Sequence, residues 1–230
     1  MTRVKICGIT NEEEIRISVE AGAHALGFVT EYPLDVPWNL DRNEARRLMA
    51  LVPPFVYRVI VVGDNPDTVL SLAELLNPHA VQLHAKEPLD ATKHIVTALA
   101  PRGIAVIKAL RFSVETGQCD DTGSDPLEVA KLLEATGVSA LLMDSVSETR
   151  PAGTGQSINW TMARKIRDNL HIPVILAGGL QADNVARAID AVRPHAVDVI
   201  SGVEDERGKK DPRKIRDFIS AASDADRERA

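Results

Sequence analysis

The sequence has few cysteines, no long hydrophobic run and no excess of positive charge. Its two cysteines, Cys7 and Cys119, lie in unrelated contexts, so neither a disulfide framework nor a metal-type spacing is expected. No segment approaches the ~18 consecutive apolar residues that a membrane span needs, and the first residues do not resemble a signal peptide. The formal net charge of -6 argues against nucleic acid as a partner. We therefore expect a cytoplasmic protein from a reducing compartment, with no membrane or nucleic-acid partner.

The 230 residues are 44% hydrophobic and 26% charged, as in ordinary soluble proteins, and short β-branched segments alternate with longer amphipathic ones. The expected strands are 3–7, 25–29, 56–63, 80–84, 104–110, 139–145, 173–179 and 196–201. The expected helices are 11–22, 40–52, 66–76, 88–100, 126–136, 159–170, 181–192 and 211–222.

Eight strands, each followed by a helix, predict an α/β fold with a parallel sheet. A count of eight favours a (β/α)8 TIM barrel, and the near-continuous apolar strands fit a sheet that is buried on both faces. An open, doubly wound sheet is the alternative. We predict a single barrel domain over 1–222, followed by a polar, frayed C-terminal tail at 223–230.

In such a barrel the active site forms at the C-terminal ends of the strands. Glycine-rich turns after the seventh and eighth strands, "AGG" and "SGV", expose backbone N–H groups that can bind a phosphate. A glycine-rich turn can also have no binding role and serve only to let the chain bend tightly. The segment "AGTG" (152–155), after the sixth strand, adds a third glycine-rich edge. We therefore predict a phosphate site formed by Gly178, Gly179, Ser201 and Gly202.

Side chains with acid–base chemistry also fall at strand ends. Cys7 ends the first strand, His84 the fourth and Asp144 the sixth, while Lys108 and Arg111 lie at the end of the fifth. A thiolate is a base, and Lys5 or a bound phosphate would shift the pKa of the Cys7 thiol in opposite directions. A carboxyl group acts as an acid where burial raises its pKa. Taken singly, Cys7 could be a core residue and Asp144 a loop cap.

Several motifs together resemble one family, phosphoribosylanthranilate isomerase. They are "KICGIT" (5–10), "VQLH" (81–84), "MDS" (143–145), "GTGQSINW" (153–160), "ILAGGLQADNVARAI" (175–189) and "SGVEDERGKKD" (201–211). The match runs in order from the first strand to the last helix. The combination is specific, whereas each motif alone is weak.

The resemblance implies an Amadori rearrangement of a phosphosugar in tryptophan biosynthesis, without a metal or organic cofactor. It implies that Asp144 protonates the furanose ring oxygen and opens the ring to a Schiff base. Cys7 then takes the proton from C2, which gives an enolamine. It also implies substrate contacts for His84, Gly153 and Gly155. The oligomer is expected to be a monomer or a homodimer.

One segment departs from the family pattern. After the second strand the family carries an arginine that meets the anthranilate carboxylate, whereas "TEYPLDVPWNL" (30–40) has none. Arg111 is the candidate replacement, and Trp38 is a candidate cover for the aromatic ring. A different phosphosugar isomerase or epimerase on the same barrel stays open, although the related histidine-pathway isomerase would have an aspartate in place of Cys7. A phosphate-ligand binding protein without catalysis also stays open.

Overall fold

The computed structural model describes residues 1–63, 65–113, 116–119, 125–146 and 157–227. Eight parallel strands close into a barrel in which each strand pairs with its sequence neighbours and the eighth pairs with the first. The expected (β/α)8 barrel is confirmed, and the open sheet is wrong. Among the described helices, none is long and apolar enough to cross a membrane.

Strands and helices alternate around the barrel. The strands are β1 Arg3–Cys7, β2 Ala25–Val29, β3 Tyr57–Val62, β4 Ala80–Leu83, β5 Ala105–Ser113, β6 Ala140–Val146, β7 Val174–Leu176 and β8 Ala196–Val199. The helices are α1 Glu12–Glu20, α2 Arg42–Met49, α3 Pro66–Leu76, α4 Leu89–Leu99, α5 Pro126–Glu134, α6 Trp160–Asn169, α7 Val185–Val192 and α8 Pro212–Arg227. A short hairpin of β9 Glu204–Glu206 and β10 Lys209–Lys210 lies between β8 and α8.

Local sequence explains why several helices begin where they do. Asn65 and Asp125 accept hydrogen bonds from backbone N–H groups of the first turn, at 3.0 Å in both cases. Each cap is followed by a proline at the first helical position, where the missing N–H is not needed. These caps fix where α3 and α5 begin.

The core has two parts, because alternate residues of each strand face opposite sides. The outward residues pack large aliphatic side chains against the helices, for example Ile6, Leu26 and Leu176. The inward residues of the lower barrel are mostly small, and they form a separate cluster of Val59, Ala80, Ile107, Ala109, Ala140, Leu142, Ile175, Ala177 and Ala196. Nearer the C-terminal ends of the strands, the inward positions become polar.

The largest differences from the expected strand boundaries lie at the ends of three strands. The seventh strand ends at Leu176 instead of continuing to Gly179, because Gly178 and Gly179 take left-handed φ values of +80° and +61°. The eighth strand ends at Val199, and a 3-10 turn Ser201–Val203 follows it. The fifth strand continues to Ser113, beyond its expected end at residue 110.

The fraying expected from residue 223 does not occur as far as Arg227. Helix α8 continues through this segment and buries Ala225. The Asp226 carboxylate accepts hydrogen bonds from Thr2, from its backbone N–H and from its hydroxyl group. The end of α8 is thereby bound to the start of β1.

Candidate active site

The polar interior of the barrel lies at the C-terminal ends of its strands. Inward-facing positions there carry Lys5, Cys7, Gln82, His84, Asp144 and Asp198, from β1, the end of β4, β6 and β8. Together with the turns after β7 and β8, most of these side chains line a pocket that holds about 710 Å³ of space, part of it open to solvent.

Asp144 is oriented by two neighbours at the rim of this pocket. Its Oδ1 atom accepts a hydrogen bond from the backbone N–H of Ser145 at 2.8 Å. Its Oδ2 atom lies 3.3 Å from Nε2 of His84, and Nδ1 of His84 lies 3.2 Å from Nε2 of Gln82. Gln82, His84 and Asp144 therefore form a polar chain that crosses from β4 to β6.

Cys7 lies at the end of β1 with 6% of its surface exposed. Burial raises the pKa of its thiol; the Lys5 ammonium lowers it, the Asp198 carboxylate raises it, and the net shift is upward. A smaller lowering contribution comes from Lys210. Cys7 also pairs in register with Gly27 of β2, where the absence of a side chain leaves room for the sulfur.

The glycine-rich turns after β7 and β8 face the same pocket. Gly178, Gly179, Ser201 and Gly202 all line it. A Cβ atom on Gly178 would lie 2.9 Å from the Ser145 backbone nitrogen, and one on Gly202 only 1.9 Å from the carbonyl oxygen of Leu180. Within the described residues, no backbone hydrogen bond to a carbonyl uses the N–H groups of Gly179 and Ser201. These turns therefore present backbone to the pocket at positions that exclude larger side chains.

An apolar wall lines the same pocket as the glycine turns. It consists of Val29, Tyr32, Val36, Trp38 and Val61, which pack with Cys7 in one buried cluster. Trp38 is 2% exposed, and its Nε1 atom donates a hydrogen bond to Oε1 of Glu204 at 2.5 Å. The wall suits a flat aromatic group.

The structure brings most of the predicted site residues together. Cys7, His84, Asp144 and the four phosphate-site residues line one pocket. Gly153 and Gly155 lie outside the described residues. What each of these side chains does stays a prediction.

Two candidates at the end of β5 are not among the residues that line this pocket. Arg111 pairs in register with Asp144 but borders a neighbouring cavity beside α4 and α5. Lys108 faces outward, and its Nζ atom binds the buried carboxylate of Glu87 and the carbonyl oxygen of Ala85. Lys108 is therefore part of the packing around the barrel.

Sequence reasoning missed the partners of these side chains. Asp198 pairs with Lys5, and Gln82 lies next to His84. The one available signal for both was a polar residue at an inward position of an otherwise apolar strand.

Comparison with known proteins gives a consistent result. Residues 4–221 match the family model of N-(5'-phosphoribosyl)anthranilate isomerase. A protein of that name from Methanocella arvoryzae is 41% identical over 221 residues, which cover 95% of this chain and 97% of that protein.

Solved structures of the same kind match over nearly the whole chain. A phosphoribosylanthranilate isomerase in complex with reduced 1-(o-carboxyphenylamino)-1-deoxyribulose 5-phosphate is 37% identical, with a TM-score of 0.77, and the match covers 97% of this chain and 100% of that one. A structure of generated monomers of the dimeric Thermotoga maritima enzyme is 36% identical, with a TM-score of 0.78 and the same coverage.

Proposed function

The chain belongs to the N-(5'-phosphoribosyl)anthranilate isomerase family, and from this premise we propose how its own residues carry out that isomerisation. The substrate is N-(5'-phosphoribosyl)anthranilate, and the product is 1-(2-carboxyphenylamino)-1-deoxyribulose 5-phosphate, formed by an Amadori rearrangement in tryptophan biosynthesis. One observation carries the proposal: Cys7 and Asp144 line the same pocket as the glycine turns after β7 and β8.

The phosphate is held by the glycine turns. Backbone N–H groups of Gly179 and Ser201 supply donors without a basic side chain, and Gly178 and Gly202 allow the close approach. A phosphate fixed at this edge directs the ribose across the pocket, towards Cys7 and Asp144. Binding energy from the phosphate thus positions the reacting carbons.

Asp144 is the general acid and Cys7 the general base. Asp144 gives its proton to the furanose ring oxygen, the C1–O bond breaks, and the nitrogen lone pair forms the Schiff base. The Cys7 thiolate then removes the proton from C2, which gives an enolamine that tautomerises to the ketone. His84, 3.3 Å from Asp144, orients the carboxyl group as well as facing the substrate.

The anthranilate ring lies against the wall of Val36, Trp38 and their neighbours. For the carboxylate we retain Arg111 as the partner, because it lies next to Asp144 in the register of β5 and β6. Arg111→Ala would then weaken substrate binding by about 1.5–3 kcal/mol, the usual contribution of a charge-assisted hydrogen bond. KM and kcat/KM measured on this variant test the assignment, and unchanged values would exclude it.

The decisive experiment follows the loss of anthranilate-type fluorescence when purified protein is mixed with phosphoribosylanthranilate. Cys7→Ser and Asp144→Asn should each lower kcat by at least ~10²-fold, because each removes one proton-transfer group. Cys119→Ser is the matched control, since Cys119 does not line the pocket, and it should retain the wild-type rate.

Near-normal turnover by either site variant would overturn the assigned roles. A wild-type protein without turnover would favour the non-catalytic phosphate-ligand protein. Turnover of another phosphosugar in preference would favour a different isomerase on the same barrel.

A further inference from the structure

A buried ion pair lies directly below Cys7 in the interior of the barrel. Nζ of Lys5 lies 2.8 Å from Oδ2 of Asp198, and the two side chains are only 5% and 7% exposed. Lys5 and Cys7 are successive inward-facing residues of β1, and Asp198 faces inward from the adjacent strand β8. The overall fold alone does not require this pair, since a buried pair often stabilises no more than apolar side chains of the same size.

The geometry places the ammonium group against the sulfur. A Cβ atom built on Gly27 would lie 2.7 Å from Sγ of Cys7 and 3.1 Å from Nζ of Lys5, so both atoms are close to one point. Asp198 contacts the same ammonium group. The order of charges is therefore sulfur, ammonium, carboxylate, with the positive group nearest to the thiol.

We propose that the Lys5–Asp198 pair is a positioning pair for the base of the proposed reaction: the Lys5 ammonium stabilises the thiolate of Cys7 when the thiol ionises, and the Asp198 carboxylate holds that ammonium in place. This inference rests on the proposed function of Cys7. Lys5 itself stays protonated throughout, and the proton from C2 goes to the sulfur.

The pKa of the Cys7 thiol is raised on balance, mainly by burial, and the Lys5 ammonium offsets part of that rise. Burial by itself lowers the pKa of Lys5, but the Asp198 carboxylate and the Cys7 sulfur raise it, and the net shift is upward. Without Asp198, the Cys7 sulfur would be the remaining group that raises the pKa of Lys5. Without Lys5, burial and the Asp198 charge would both raise the pKa of the Cys7 thiol. Each charge therefore has a separate effect on the base.

The other charged groups around Cys7 are the same in all the variants that are compared. Lys210 on β10 contributes a smaller positive charge, and His84 and Asp144 line the same pocket from the end of β4 and from β6. None of them changes in the variants below. Differences in the titration of Cys7 then report on Lys5 and Asp198.

The test is a thiol titration without substrate, in a Cys119→Ala background that leaves Cys7 as the one cysteine. The rate of alkylation of Cys7 by iodoacetamide is measured against pH. Lys5→Met should move the midpoint up by about one to three pH units, the usual effect of one close charge. Asp198→Asn should move it down, because the unpaired ammonium then has the thiolate as its counter-ion.

If a single variant does not fold, the double variant Lys5→Met/Asp198→Asn is titrated instead. It should fold because it leaves no unpaired buried charge from this pair. Its midpoint should lie above the wild-type value, because the nearer charge of the pair is positive. A Cys7→Ser/Cys119→Ala protein gives the blank. Circular dichroism of each variant checks that the fold is retained.

A purely structural role predicts a different pattern. In that case the variants would loosen the packing and expose the thiol. The Cys7 midpoint of both single variants would then fall towards the ordinary thiol pKa. Shifts of equal sign, or no shifts, would overturn the proposal. Because the titration uses no substrate, its outcome is independent of the turnover assay. In active protein, the rising limb of kcat/KM against pH should move in the same directions.

Discussion

At the scale of single residues, the absence of a side chain at Gly27 leaves the space in which the sulfur of the proposed base, Cys7, lies. A Cβ atom at this position would lie 2.7 Å from Sγ of Cys7 and 2.9 Å from Cε of Lys5, closer than real contacts allow. Lys5 is held by Asp198, so it cannot simply move aside. The sulfur is the atom that has to shift.

We therefore expect Gly27→Ala to reduce kcat by about 10- to 100-fold, since a displacement of ~1 Å of a reacting group has effects of that size. The fluorescence assay measures kcat, and urea unfolding measures stability. The control is Gly103→Ala, where nothing lies within 4 Å of the added Cβ, although its φ of +67° strains an alanine. That control should lose stability, by about 1 kcal/mol, and keep its kcat. Equal kcat values for the two variants would contradict the argument.

At the scale of elements, the β9–β10 hairpin holds the loop that carries Trp38. Oε1 of Glu204 accepts a hydrogen bond from Trp38 and one from Lys210 at 2.7 Å, and the Lys210 and Glu204 side chains are 0% and 3% exposed. The guanidinium of Arg207 lies 5.3 Å from the centre of the Trp38 ring. The apolar wall of the pocket is thus fixed by a segment more than 160 positions away in the sequence.

Lys210→Met should lower the free energy of unfolding by about 3–5 kcal/mol, because it leaves the Glu204 carboxylate buried without its cation. Lys209→Met is a matched control on the neighbouring residue, whose pair with Glu206 is 74% and 69% exposed. It should leave the free energy of unfolding nearly unchanged. Urea denaturation at one pH measures both. A similar effect of the two changes would mean that the buried pair does not stabilise the hairpin.

The order of elements could be predicted from sequence because strand and helix periodicities are local. The hairpin could not, since "EDERGKK" is short, charged and free of β-branched residues. The end of α8 was missed because its buried residues, Ala222 and Ala225, are small and give little hydrophobic signal. The catalytic candidates at strand ends were found by the barrel rule. The ion pair of Lys5 with Asp198 joins residues too far apart in sequence for any local pattern to show.

At the scale of the whole molecule, the two ends of the barrel differ. The pocket opens at the C-terminal end of the strands, whereas an apolar surface lies on the loop that enters β3, at the opposite end. Phe55 there is fully exposed, and Leu51 and Tyr57 are 48% and 43% exposed. Phe55 also has a φ of +70°, which is costly for an aromatic residue. An exposed apolar patch in a strained loop is typical of a surface covered by a partner.

A second copy of this chain is the partner we expect on that surface, because the exposed side chains there are apolar and uncharged. In a twofold dimer the same patch would meet itself, so Phe55→Asp places two charges in the contact and should give a monomer. Sedimentation velocity should then show a dimer for the wild type and for Leu132→Asp, a change at another exposed leucine, on α5. Turnover should survive in the Phe55→Asp monomer, because the pocket opens at the opposite end of the barrel from Phe55. A monomeric wild type, or a dimeric Phe55→Asp protein, would exclude this interface.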